Sequence, residues 1–281
     1  MLGTGKCSGY LSAYVWEKGD DPVNADVCSL ELVEKDGKHR AFLLVCDGIR
    51  SLEKGPECAR RIQEWATAYF REEMLRLPFT GKHMYQAGNR LLYEICHRLR
   101  QKAREEGTNY GASCTLAFLE GEKYALFSRG DTRAYKITNR KTGGTQLLTR
   151  DDVAEGKHLT GCIGSFGYEE AEYVTGRLHK GEALLLCTNG FYGKQEIPRE
   201  EGCGKQEIPR EEGCGKQEIP REKVQRGRQK KQGMAWDKLL LPSGIRGEEQ
   251  AGKRLGEIVR QNRRKGERDH ATAIWLSPMM Q

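Results

Sequence analysis

Apolar residues run without interruption through residues 41–46 (AFLLVC), a length that suits a buried strand. Residues 182–187 (EALLLC) and 271–276 (ATAIWL) carry the same kind of run and predict two more buried strands. Elsewhere the period lengthens. Ile62, Trp65, Ala66 and Phe70 fall on one face of a helix predicted over about residues 56–75. Ala87, Leu91, Ile95 and Leu99 do the same over about 83–106, and a late helix is expected over 248–262. Strands are predicted in succession over 113–119, 123–128 and 133–137, with Glu120-Gly121 as a turn between the first two. Short turns between neighbouring strands favour antiparallel pairing, so the pattern predicts packed sheets flanked by helices.

The pattern fails between residues 193 and 233. GKQEIPREEGC at 193–203 is repeated identically at 204–214, and GKQEIPRE at 215–222 begins a third copy. Each unit carries Pro and Gly and little apolar bulk, so stacked copies would bury little core. The segment is expected to be a mobile insertion within one domain spanning 1–281. It continues into the basic run REKVQRGRQKK at 221–231. That run leaves nucleic acid or an acidic partner open, although a solvated loop is the simpler expectation and no nucleic acid is expected.

Composition narrows the class. With 281 residues and 37% hydrophobic content the chain can bury a sizeable core, and its net charge of +7 is modest for that length. No apolar stretch approaches the roughly 18–20 residues needed to cross a bilayer, and the first residues lack a signal peptide's apolar core. A cytoplasmic, monomeric protein is expected. None of the ten cysteines forms a Cys-x-x-Cys pair and several lie inside apolar strands, which predicts buried free thiols. None has Arg six residues on, so a cysteine phosphatase is excluded. GTGKC at 3–7 hints at a phosphate loop but lacks the following Ser/Thr and a preceding strand.

Candidate chemistry lies at strand ends. Asp47-Gly48 follows AFLLVC, Gly130-Asp131 follows YALFSR, Asp269 precedes ATAIWL, and Asp26 sits in NADVCSLEL. Carboxylates at the ends of buried strands can meet on one rim, and such oxygens suit Mg²⁺ or Mn²⁺. Taken singly, each is more often a turn or cap residue. The run LLLC ends on Thr188-Asn189-Gly190, which reads either as a turn or as a side chain delivered to that rim. His270, beside Asp269, could face the site; a surface position at a strand start is the simpler expectation.

The order of these elements resembles the metal-dependent protein phosphatases, the type 2C Ser/Thr phosphatase family. The elements are Asn24-Ala25-Asp26, VCDG at 45–48, Gly111-Ala112-Ser113-Cys114, Gly130-Asp131-Thr132-Arg133, Leu148-Thr149-Arg150-Asp151, Thr188-Asn189-Gly190 and Asp269-His270. The resemblance implies an α+β fold, a four-layer α-β-β-α sandwich with two central antiparallel sheets. It also implies metal-dependent hydrolysis of phosphoserine and phosphothreonine in proteins at a two-metal Mn²⁺ or Mg²⁺ site. Carried over residue by residue, the metal positions are Asp26, Asp47, the Gly48 carbonyl, Asp131, Asn189 and Asp269, with Asp26 and Asp47 central to catalysis.

The same resemblance exposes departures. Asn189 stands where the family has Asp, Ala25 where it has Glu, and Asp21 where it has a phosphate-holding Arg. Arg50 and Ser51 replace glycines after the Asp-Gly. The expectation is a weak phosphatase acting on a phosphoprotein. The alternative is a pseudophosphatase that uses the fold to bind a protein partner.

Overall fold

The computed structural model describes residues 2–7, 9–138, 144–154, 158–193 and 239–279. Apart from Gly193, the repeat and the basic run expected as an insertion lie outside the described residues.

In the first half of the chain, β1 (Leu2–Cys7), β2 (Tyr10–Glu17), β3 (Asp26–Lys35) and β4 (Lys38–Gly48) precede two helices, α1 (Gly55–Glu72) and α2 (Gly81–Glu106). The chain continues through β5 (Gly111–Glu120), β6 (Lys123–Arg129), β7 (Arg133–Thr138), β8 (Gly144–Leu147), β9 (Ile163–Gly164) and β10 (Glu172–Arg177). It closes with β11 (Glu182–Cys187), the one-turn helix α3 (Asn189–Tyr192), α4 (Glu248–Arg264) and β12 (Ala271–Pro278). Among the described residues the strands form two antiparallel sheets. One runs β1-β2-β12-β11-β7-β8 and the other β10-β6-β5-β4-β3, with β9 paired to β5.

Three apolar clusters explain the unbroken runs. In β4, Phe42, Leu44 and Cys46 face α1 and α2, while Ala41, Leu43 and Val45 pack between the sheets. In β11, Leu184 and Leu186 face the other sheet, and Ala183, Leu185 and Cys187 face α4. Successive side chains point to opposite faces, so a strand buried on both must be apolar at every position. Helix, sheet, sheet and helix therefore stack as the expected sandwich. Rings of Phe42, Phe70 and Phe118 stack at 5.3–6.3 Å where α1 meets the second sheet.

Caps set the helix limits. Thr80 accepts from the His83 N–H, so α2 begins at residue 81 rather than 83, and it ends at left-handed Gly107 (φ 66°). GTGKC lies in β1, an edge strand, which rules out a phosphate loop there. Of the described cysteines, Cys46, Cys58, Cys96, Cys114 and Cys187 are buried free thiols, and Cys28 and Cys162 are partly buried. Among the described residues no helix is long and apolar enough to cross a membrane.

Candidate active site

Strand alternation carries the site to the open end of the inter-sheet layer. Leu43 and Val45 of β4 point between the sheets, so Asp47, two residues on, points the same way. The same parity applies to Thr188 beyond Leu184 and Leu186, and to Ser113 before Thr115 and Ala117. Register then pairs Asp26, the first residue of β3, with Asp47, and Asp47 with Ser113 of β5. Two carboxylates distant in sequence face each other across one rung.

Hydroxyl groups fix their orientation. Thr188 Oγ1 donates to Asp26 Oδ2 at 2.7 Å and accepts from the Thr272 N–H at 3.1 Å, which ties the two sheets together. Trp16 Nε1 donates to the Asp26 carbonyl at 2.8 Å along the same seam. Ser113 Oγ donates to Asp131 Oδ1 at 2.8 Å, holding the carboxylate that follows β6. Gly130 has φ 105°, and a Cβ there would lie 2.3 Å from Ser113 Oγ, so only glycine lets Asp131 approach that hydroxyl.

Within two of the quoted sequence elements, Arg133, Thr149 and Asp151 act as scaffold. Arg133 binds Asp151 through Nε at 2.9 Å and Nη2 at 2.6 Å, and its guanidinium lies 3.9 Å over the Tyr192 ring. Tyr192 Oη in turn donates to the Asp131 carbonyl at 3.0 Å. Asp152 Oδ2 accepts from the Gly130 N–H at 2.9 Å, and Thr149 Oγ1 accepts from the Ala134 N–H at 3.1 Å.

Asn189-Gly190 forms no hairpin turn; the pair opens α3 directly after β11. A Cβ on Gly190 would stand 1.8 Å from the His270 carbonyl oxygen, so glycine is required by close packing against the start of β12. Asn189 lies beside Asp131, where its side chain favours the charged carboxylate. His270 is buried, with Nδ1 accepting from the Gly19 N–H at 2.9 Å, which corrects the expectation of a surface histidine.

The electrostatics are those of crowded acids. Burial lifts Asp26 from 3.8 to about 6, opposed by the Thr188 hydrogen bond and by the Arg50 charge. Burial, then repulsion from Asp26 and Asp131, holds Asp47 well above the usual carboxylate range. Asp131 is also raised by burial, with the Ser113 hydrogen bond opposing. Burial, then the Arg50 charge, lowers the pKa of His270.

Arg50 is the site residue that sequence reasoning assigned no role. It sits just beyond Asp47-Gly48, where its guanidinium pairs with Asp269 and, through Nε at 3.2 Å, with Asp21. Asp21, at the position where the resembled family has a phosphate-holding Arg, is therefore a compensated charge. The available signal was a cation immediately after an acidic element, in a position where the resembled family carries glycine.

The oxygen donors present are of the kind that a hard cation takes. Asp26 Oδ1 and Asn189 Oδ1 are buried acceptors without a partner, and Arg50, the cation that acts on Asp26 and Asp47, is itself paired with Asp21 and Asp269, which leaves the two acids without a counter-charge of their own. An ion at Asp26, Asp47 and the Gly48 carbonyl would supply it. Asn189 contributes no charge, and Asp269 is already paired with Arg50. Among the described residues no three acidic, histidine or cysteine side chains converge at metal-ligating distance.

Residues 20–211 match the family model of protein phosphatase 2C. In fold the chain is similar to the serine/threonine phosphatase Stp1 from Staphylococcus aureus (16% identity, TM-score 0.70, covering 96% of this chain and 95% of that one). It is also similar to PppA, a key regulatory component of T6SS in Pseudomonas aeruginosa (16% identity, TM-score 0.66, covering 97% and 99%). A third similar structure is the catalytic domain of the serine threonine protein phosphatase PstP in complex with two manganese ions (14% identity, TM-score 0.65, covering 100% of each chain). No curated protein sequence matches the chain.

Proposed function

The chain belongs to the protein phosphatase 2C family, and from that premise we propose that it hydrolyses phosphoserine and phosphothreonine in proteins with Mn²⁺ or Mg²⁺, slowly. The observation that carries this reading is the facing pair Asp26 and Asp47, with an unpartnered carboxylate oxygen at its centre.

Asp26, Asp47 and the Gly48 carbonyl would hold the metal, with Asp131 alongside. When bound, a metal of this kind activates water at neutral pH and neutralises phosphate charge. The chain's own residues do the positioning. Thr188 keeps one Asp26 oxygen engaged at 2.7 Å and so turns the other toward the site. Ser113 holds Asp131 at 2.8 Å, and the Arg133–Asp151 pair fixes the turn that carries it through Tyr192. Neutral Asn189 and Ala25 remove charge that a second ion would need, which accounts for the low rate proposed.

A binding role without hydrolysis is favoured by one separate feature: Asp269 is occupied by Arg50. Hydrolysis of an aryl phosphate and a phosphothreonine peptide, with Mn²⁺ and with chelator, separates the two. Mn²⁺-dependent turnover lost in Asp47→Asn supports the enzyme. Turnover indistinguishable from Asp47→Asn, with Mn²⁺ bound, supports the binding module.

A further inference from the structure

Arg50 leaves the end of β4 beside the acids, and its guanidinium bridges two carboxylates from separate parts of the chain. Nε meets Asp21 at 3.2 Å and Nη2 meets Asp269. Asp21 lies on the loop between β2 and β3, and Asp269 lies two residues before β12. The same positive charge acts on Asp26 and Asp47, favouring their ionised forms, and on His270, disfavouring its protonation. One arginine therefore serves the acidic cluster as its counter-ion.

A divalent ion that uses Asp269 meets that guanidinium at Oδ1, which also accepts from the His270 N–H, and the two cations compete for one carboxylate charge. The Arg50 side chain is 48% exposed and that of Asp269 24%, so the pair is weak enough to open and the arginine has solvent to swing into. We infer that Arg50 is a tethered cation that occupies Asp269 and competes with a divalent metal ion there, setting the metal occupancy of the site. This rests on the reading of Asp26 and Asp47 as metal-holding residues. The competition is electrostatic as well as steric, since a charge left nearby still repels the incoming ion. At millimolar Mn²⁺ the wild type would then hold one ion at Asp26 and Asp47, with Asp269 kept by Arg50.

Isothermal calorimetry with MnCl₂ on the full chain tests this through affinity and stoichiometry, without reference to turnover. Arg50→Gln removes the charge and keeps much of the side-chain reach; Arg50→Lys keeps the charge and loses the fork. The expected result is a second Mn²⁺ bound by Arg50→Gln, or about tenfold tighter binding, with Arg50→Lys close to wild type. Arg50→Gly is the replacement should the glutamine variant fold poorly, and is expected to behave likewise. Adding Asp269→Asn to Arg50→Gln should cancel the gain. Folded Arg50→Gln and Arg50→Gly proteins with wild-type Mn²⁺ affinity and stoichiometry overturn the role of Arg50 and leave the metal site standing. No Mn²⁺ bound by any of the proteins overturns the metal site itself, and this inference with it.

Discussion

Thr188 spends its single hydroxyl hydrogen on Asp26 Oδ2 and receives the Thr272 N–H, joining both sheets at a buried point. Valine has nearly the same shape and neither donates nor accepts. Thr188→Val leaves a carboxylate oxygen and an amide unpaired where water is scarce, a change that costs about 1–3 kcal/mol. Urea unfolding in chelator at pH 7 measures it. A loss below about 0.5 kcal/mol would mean that water takes over both partners. The opposite sign is expected at Asp47, where burial and the Asp26 charge already disfavour the ionised carboxylate. Asp47→Asn removes that charge and should stabilise the metal-free protein while abolishing the stabilisation that Mn²⁺ gives the wild type. A Tm that rises equally with Mn²⁺ in both proteins would place the ion elsewhere.

At the scale of elements, β7 and the segment after β8 are joined by the fork between Arg133 and Asp151. Arg133 is largely buried, and its remaining contacts are Tyr135 Oη at 3.3 Å and the Tyr192 ring. Asp151→Asn should cost about 3 kcal/mol, because it leaves a buried guanidinium without its counter-charge. Tyr192 Oη reaches Asp131, so the loss should also loosen Mn²⁺ binding although residue 151 touches no ligand. Normal Mn²⁺ affinity in a destabilised Asp151→Asn protein would show that the scaffold does not reach the site. α3 shows the same coupling in backbone form. Its Gly190 packs so closely on the His270 carbonyl that any side chain must push α3 off β12.

For the molecule as a whole, the crowded acids set a pH dependence. The folded chain keeps a proton on Asp26 up to about pH 6, whereas the unfolded chain releases it near 3.8. Across that window the folded state binds more protons, so the contribution of Asp26 to stability falls as pH rises. Asp47, also raised, acts with the same sign. His270 acts with the opposite sign: its lowered pKa makes stability fall as pH drops below its ordinary 6.5. Comparing wild type with Asp47→Asn in chelator removes the histidine from the difference. The variant's advantage should be largest at pH 7 and shrink toward pH 4. A pH-independent difference would mean that Asp47 titrates normally.

Much of this was legible along the chain because its causes are local. A strand covered on both faces has to be apolar at every position, which is why 41–46 and 182–187 could be read as buried strands, and helix faces repeat in the same way. β1, β2 and β3 were less visible. β1 carries Gly3 and Gly5, β2 alternates buried and half-exposed positions, and β3 is an edge strand with its later residues half-exposed. They form because neighbours pair with them rather than because their own pattern demands it. The acids were also legible, since strand ends and residue order suffice to nominate Asp26, Asp47, Asp131 and Asp269. Their contacts were not. Which carboxylates face each other depends on register across β3, β4 and β5, and the Thr188 bond depends on how one sheet lies over the other. Arg50 shows the limit most plainly, because a side chain that reads as a lost glycine becomes the cation binding Asp21 to Asp269 only when three distant segments meet.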